Sequence, residues 1–328
     1  MKLLASLILL VIVSSSALSQ GKGGEIKAPR GYAPLATTNS FVLHSMLDEA
    51  VSKVREAHSM QPEQIAATLI DLSGPEARMA DYRGDERIYP ASVVKLYYLA
   101  AIERMLEDKQ VTDSPELQRG VHDMIVDSSN EATQYVLDVI TGTSSGSELP
   151  AKEFEAWQFK RNRVNRWLSS LGYANVNANQ KTFCEDAYGI EQQSRNYKGQ
   201  NRNAVTTDAT ARMLAEIVLG RVNTTDRTTF MMKLLSRDWD KTSSDTDNQA
   251  SGFTGRMLAA RKLEGSRLWS KAGWTSNARH DAAYLETADG QRFVLVIFTE
   301  GHATDRDIIP DLAGRVLDGL KGASTARP

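Results

Sequence analysis

Strand patterns near both ends of the chain, with helical patterns between them, are the feature that most limits the possible folds. The segments with β-branched or alternating apolar residues are 64–72, 78–82, 266–272, 282–287 and 293–299. Strands this far apart in sequence can bury their apolar sides together in one sheet. The sequence therefore predicts an α/β (α+β) fold, in which an antiparallel sheet is built from both chain ends and an all-helical lobe is inserted.

Apolar residues at helical spacing predict the helices of this fold. Terminal helices are expected at about 40–58 and 307–320, where they would flank the sheet. The lobe helices are predicted at 92–107, 116–126, 130–140, 154–171, 208–219 and 227–235. We expect one domain over residues 40–322, with a sheet lobe from about 40–90 and 250–322 and a helical lobe from about 91–249.

The first residues have the pattern of an export signal. Lys2 precedes an apolar run over residues 3–13, and small residues follow up to Ser19. This order predicts a signal peptide over residues 1–19 and a secreted or periplasmic protein with no membrane span after cleavage. Residues 20–39 are rich in Gly, Ala, Pro and Thr without periodicity, so we predict a flexible leader there.

Charge and cysteine content exclude several classes of protein. Lys plus Arg number 39 and Asp plus Glu 41, so a net charge of −2 argues against a bulk electrostatic partner for nucleic acid or an anionic membrane. A single cysteine, Cys184, excludes a disulfide framework, and we expect it to be a buried apolar side chain. The five histidines never fall at metal-ligand spacing on a helix, so we predict no metal. We expect a monomer.

The first candidate motif is Ser92 with Lys95 three residues later, at the start of an apolar helix. Three residues are nearly one helical turn, so both side chains lie on one face, where the amine can take the hydroxyl proton. Free N–H groups at a helix start suit a developing oxyanion, and burial would lower the lysine pKa. Taken alone, the pair also fits a capped helix with a solvated lysine.

Two further motifs are equally ambiguous when taken singly. Ser128 and Asn130 lie between two predicted helices, where they fit either an N-cap or a proton relay beside an amide that holds substrate. Lys271 and Gly273 end a strand just before Trp274. They fit either a bend after a strand-end lysine or a cation beside N–H groups that a substrate carboxylate could approach.

In this order the three motifs resemble those of the serine penicillin-recognising enzymes, and among them the class A β-lactamases. The likeness covers most of the mature chain and implies the β-lactamase/transpeptidase-like version of the predicted fold. It also implies that Ser92 is the acylated nucleophile and Lys95 its activating neighbour. Ser128 would pass a proton to the departing nitrogen.

The resemblance implies the substrate contacts as well. Asn130 would hold a side-chain amide, and Lys271 would attract a carboxylate at a strand edge that Gly273 leaves open. The backbone N–H groups of Ser92 and Trp274 would form the oxyanion hole. The implied partner is a small-molecule β-lactam or a cell-wall peptide, and acyl transfer through a seryl ester needs no cofactor.

Several positions depart from the family pattern. The second motif has serine where aspartate is usual, and the third has Ala272 where threonine or serine is usual. The family's deacylating glutamate, followed four positions later by asparagine, has no match in residues 173–205. The only candidate carboxylates there are Glu185, Asp186 and Glu191. Either Arg279 or His280 lies near the position of a carboxylate-binding arginine, depending on strand register.

These departures leave three hypotheses. The first is a secreted hydrolase that opens β-lactam rings through a Ser92 ester. The second is a D,D-peptidase, a penicillin-binding-type acyltransferase or an esterase, in which the missing glutamate makes deacylation slow. The third is a non-catalytic binding or sensor protein with the same fold.

Overall fold

The sheet of the protein is built from both ends of the chain. The computed structural model describes residues 24–241 and 243–325, so the predicted signal peptide lies outside the described residues. The strands are β1 Thr37–Asn39, β2 Ile65–Asp71, β3 Ala77–Tyr82, β4 Ser236–Arg237, β5 Arg267–Trp274, β6 Ala278–Glu286 and β7 Arg292–Glu300. Their order is β1-β3-β2-β7-β6-β5-β4, antiparallel except for β1 beside β3. The predicted α/β sheet fold is confirmed.

Helices cover both faces of this sheet. They are α1 Phe41–Ala57, α2 Lys95–Glu107, α3 Pro115–Ile125, α4 Asn130–Thr141, α5 Ala151–Arg161, α6 Arg163–Ser170, α7 Ile190–Arg195, α8 Thr207–Val218, α9 Thr225–Leu235, α10 Thr254–Ala260 and α11 Ile308–Thr325. Short 3₁₀ turns occupy Pro62–Gln64 and Ala91–Val94. The region predicted as one helix over 154–171 is two helices, because the chain turns at Asn162, whose side chain accepts hydrogen bonds from Asn165 and Asn179.

Each face of the sheet has its own apolar core. On one face α1, α10 and α11 pack on alternate residues of β5, β6 and β7, with Leu47, Ala272 and Leu312 fully buried. On the other face α2 and α8 lie over the intervening residues, such as Ala282 and Val296. Because successive side chains of a strand point to opposite faces, Lys271 lies on the α2 side and Ala272 on the α1 side.

The prediction of a flexible leader is wrong for residues 24–39, because this segment packs against the fold. Ile26 and Leu35 are buried, and the backbone N–H of Leu35 donates to the Glu216 carboxylate at 2.8 Å. Strand β1 then pairs with β3. The composition of this segment does not reveal its contact with Glu216, because that residue lies on α8, far away in the sequence.

Within the described residues, no helix has the length and apolar character needed to cross a membrane.

Helix α1 offers a matched test of the core on the α1 side. Leu47 is fully buried, whereas Phe41 on the same helix is 84% exposed. We expect Leu47→Ala to lower the free energy of unfolding by about 2–5 kcal/mol, because it leaves a cavity between the helix and the sheet. Phe41→Ala should change it by less than about 0.5 kcal/mol. Urea denaturation of both variants checks this, and equal losses would contradict the packing described.

Candidate active site

Ser92 lies in the 3₁₀ turn that leads into α2. Ala91 just before it has a φ of 45°, in the left-handed region that costs a non-glycine residue energy and often marks functional sites. Ser92 is partly buried, and its hydroxyl forms no hydrogen bond within the described residues. The turn therefore presents a hydroxyl that is free for another partner.

Gly273 allows β5 to approach this turn closely. A Cβ atom at position 273 would lie 2.7 Å from the backbone nitrogen of Ser92 and 2.9 Å from the Pro90 carbonyl oxygen. Such distances are too short for any side chain, so glycine is required for the strand to lie against the Ser92 turn. The predicted third motif thus meets the first motif through the backbone.

The edge of β5 that faces away from β6 carries the backbone N–H groups of alternate residues. Thr275 N–H donates to Ala278 O, and hydrogen-bonded pairs alternate along an antiparallel ladder, so the N–H groups of Ala272 and Trp274 point away from β6. Ala272 N–H donates to Gln249 Oε1 at 3.2 Å. The Trp274 N–H points away from β6 along the same edge, one residue beyond Gly273, which lies against the Ser92 turn.

Lys95 is fully buried and its amine points at the loop that carries the second motif. Its Nζ donates to Ser128 O at 2.6 Å, Asn130 Oδ1 at 3.0 Å and Ser129 O at 3.3 Å, and lies 3.3 Å from Ser128 Oγ. Burial lowers the pKa of Lys95 to about 7, with Glu131 and Cys184 acting in the opposite direction. The amine is therefore partly neutral near pH 7.

Lys271 reaches the same hydroxyl from the sheet. It is fully buried, and its Nζ donates to Ser128 Oγ at 2.9 Å, to Gln249 Oε1 at 2.5 Å and to Ala272 O at 2.8 Å. Burial, followed by the charges of Lys95 and Arg237, lowers the pKa of Lys271 well below its ordinary value. Ser128 Oγ thus lies between two amines.

Ser128 and Asn130 are held by the helix start of α4. Ser128 has a φ of 56°, and the next residue, Ser129, caps the helix by accepting from Ala132 N–H at 3.1 Å. The capping role considered for this motif therefore falls to Ser129. Asn130 Nδ2 lies 3.4 Å from the sulfur of Cys184.

The prediction that Cys184 is buried is wrong. Its side chain is exposed rather than buried, and it contacts Asn130 at the site. The segment carrying it is irregular and polar, so the chain offers no apolar element that would bury the thiol. The long loop over residues 173–205 consequently lines the site with a sulfur atom.

The three candidate carboxylates of this loop are engaged elsewhere or exposed. Glu191 is buried, and its oxygens accept from Arg161 at 2.7 and 2.8 Å, with Lys181 at 3.5 Å. Burial opposes ionisation, but these cations hold the pKa of Glu191 below its ordinary value. Asp186 is exposed and pairs with Arg195 at 2.5 Å.

Glu185 is exposed. Within the described residues, none of the three carboxylates forms a hydrogen bond with Ser92, Lys95 or Ser128.

Strand register separates Arg279 from His280, and neither presents a charge to the site. Arg279 lies on the α1 side, 3.8 Å from the Phe253 ring centre and paired with Asp247 at 2.6 Å. His280 is fully buried on the α2 side, where its Nδ1 accepts from Thr299 N–H at 3.1 Å.

The proton of His280 must then lie on Nε2, which donates to Tyr89 O at 2.9 Å. Burial lowers the pKa of His280 to about 4, so the ring is neutral and holds the chain just before Ser92.

One group of potential metal ligands exists among the described residues. Ligand atoms of His122, Asp123 and Asp127 lie within 4.8 Å of one another near the end of α3. Two of these side chains are exposed, and Asp123 is partly exposed. Within the described residues, none of them forms a hydrogen bond with Ser92, Lys95 or Lys271. We therefore assign them no part in the chemistry.

The fold is β-lactamase-like, and the three motifs meet at one strand edge. The chain belongs to the beta-lactamase enzyme family, whose model matches residues 47–320. Among curated proteins, no sequence matches the chain.

Solved structures share the fold at low sequence identity. A β-lactamase from Sphaerobacter thermophilus has a TM-score of 0.60 at 19% identity, covering 87% of this chain and 98% of its own. A β-lactamase from Chitinophaga pinensis has a TM-score of 0.57 at 14% identity, covering 84% and 99%. A variant of PBP-A, solved as an acyl-enzyme complex with penicillin G, has a TM-score of 0.58 at 14% identity, covering 88% and 99%.

Sequence reasoning missed three residues of this site. Glu131 is the carboxylate whose charge acts on Lys95, and its place in the first turn of α4 could have drawn attention to it. Gln249 binds Lys271 from a polar loop that has no recognisable pattern. Cys184 reaches Asn130 from the long loop, and only the fold reveals that contact.

The position of Cys184 can be tested by alkylation. We expect N-ethylmaleimide to slow the labelling of the protein by a fluorescent penicillin by at least about tenfold, because the added group would lie against Asn130. The Cys184→Ser variant should be labelled at the same rate with and without the reagent. Full-rate labelling of the alkylated wild-type protein, with modification verified by mass spectrometry, would place the thiol outside the site.

Proposed function

We propose that this protein is an exported serine hydrolase that opens β-lactam rings through an ester on Ser92. The observation that carries the proposal is the Ser128 hydroxyl, which lies between the amines of Lys95 and Lys271 at a strand edge held against the Ser92 turn. Membership of the β-lactamase family supports the reaction class. Export is supported by the N-terminal sequence pattern alone.

Acylation would begin with attack of Ser92 Oγ on the lactam carbonyl carbon. The neutral amine of Lys95, lying one helical turn further on, would take the hydroxyl proton. The carbonyl oxygen would acquire negative charge and lie between the N–H groups of Ser92 and Trp274. Each such donor is worth roughly 3–4 kcal/mol in other enzymes.

Collapse of the tetrahedral intermediate would break the ring C–N bond and leave the ester. The departing nitrogen needs a proton, which Ser128 Oγ would supply and recover from the Lys95 ammonium. The Lys271 amine, which donates to Ser128 Oγ at 2.9 Å, would stabilise the charge on that oxygen during this transfer. Asn130 Nδ2 would release the weak sulfur acceptor of Cys184 and donate to the substrate amide.

Hydrolysis of the ester would complete the cycle. The loop carboxylates are bound in ion pairs or exposed, so we expect ester hydrolysis to be slower than acylation. An initial burst of product followed by a slower steady rate is the expected kinetic pattern.

The nucleophile can be identified by intact-protein mass spectrometry. We expect one penicillin to add to the wild-type protein and to leave as the hydrolysed acid, because Ser92 forms the ester. Ser92→Ala should show no addition, whereas Ser170→Ala, at an exposed serine far along the sequence on α6, should behave as wild type. An adduct that never leaves would favour the penicillin-binding-type acyltransferase, and absence of any adduct would refute the proposal.

The acylation rate should depend on pH in the direction set by Lys95. Only the neutral amine can take a proton, so the rate is expected to rise with pH through about 7 and to level off above it. Stopped-flow measurements with a chromogenic cephalosporin would give this profile. The rise should be absent from the residual reaction of Lys95→Ala, and a rate that falls as pH increases through this range would contradict the assignment.

A further inference from the structure

The amine of Lys271 has all its hydrogen bonds taken by neutral groups of the protein. An ammonium has three N–H donors, and here they are directed at Ser128 Oγ, Gln249 Oε1 and Ala272 O, at distances of 2.9, 2.5 and 2.8 Å. The side chain has no exposed surface. A substrate carboxylate could bind this amine only by displacing one of these partners.

The side chain of Gln249 is held in the orientation in which its oxygen accepts a hydrogen bond from Lys271. Its Nε2 donates to the carbonyl oxygens of Val126 at 2.9 Å and Ile125 at 3.2 Å, so Oε1 must face the lysine. The same oxygen also accepts the Ala272 N–H. Four hydrogen bonds hold this buried side chain, which makes it costly to displace.

The residues at the positions where the resemblance suggested further carboxylate contacts are also unavailable. Arg279 is committed to Asp247 on the opposite face of the sheet, and His280 is a neutral ring bound to two backbone groups. Ala272 has no hydroxyl, and its methyl group is buried in the core on the α1 side.

Building on the proposed function, we propose that the site acylates β-lactams without requiring their carboxylate, and that Gln249 determines this by occupying Lys271. The substrates then include uncharged β-lactams, such as compounds in which the carboxylic acid of a penicillin or cephalosporin is converted to an ester. A site that binds a charged or polar group of its substrate reacts several orders of magnitude more slowly with an analogue lacking that group. The acylation rate of an uncharged ester therefore distinguishes a site that requires the carboxylate from one that does not.

A matched pair of substrates tests the proposal. The second-order rate of Ser92 acylation would be measured with a chromogenic cephalosporin and with its methyl ester. We expect the two rates to agree within about threefold, whereas an ester that reacts about 100-fold more slowly would overturn the inference and leave the proposed function intact. If neither compound acylated Ser92, the proposed function would fail and this inference with it.

Variants of Gln249 test the residue itself. Gln249→Ala frees one N–H of Lys271, and we expect the preference for the acid over the ester to increase at least about tenfold. Gln193→Ala is the matched control, because its amide also bonds to backbone groups, those of Leu149, and it should keep the wild-type ratio.

If the Gln249→Ala variant does not fold, the same ratio of rates would be measured for Gln249→Met, which keeps the length of the side chain. An unchanged ratio in a folded Gln249 variant would refute the role of this residue.

Discussion

Two buried amines share one hydroxyl, and much of the site is arranged around that contact. A buried ammonium is costly unless its hydrogens are bound, and both lysines are bound by neutral oxygens rather than carboxylates. Without an anion between them, the charge of Lys95 lowers the pKa of Lys271, after the larger effect of burial. Burial lowers the pKa of Lys95 to about 7 against the opposing charges of Glu131 and Cys184, and a readily lost proton is the property that a base for Ser92 would need.

The turn that carries Ser92 is held from two sides by groups that take no part in the chemistry. Gly273 lets β5 lie against the backbone of the turn, and His280 binds Tyr89 O three residues before Ser92. A left-handed Ala91 persists only where its surroundings fix it, and these contacts supply that constraint. The position where the resemblance suggested a charged side chain thus holds a neutral ring that supports the Ser92 turn.

The spacing of apolar residues along the sequence predicted the secondary structure that depends on neighbouring residues. The long helices and the late strands follow from periodicity, and the structure agrees with them apart from the break at Asn162 and the 3₁₀ turn at residues 91–94. The short helices α7 and α10 have too few turns to show a periodic pattern and were not predicted. Contacts between distant segments could not be predicted in this way. The anchoring of Leu35 on Glu216 and the bond from Gln249 to Lys271 depend on loops whose composition resembles that of any polar surface segment.

The long loop over residues 173–205 shows how the same residue types can serve structure instead of catalysis. Glu191 pairs with Arg161 and Lys181, and removing it would leave these two buried cations with Asp138 as their shared carboxylate. These ion pairs fix the loop that brings Cys184 to Asn130. In the proposed reaction the carboxylates of this loop shape one wall of the site, and the proton transfers fall to the amines and the hydroxyl on the other side.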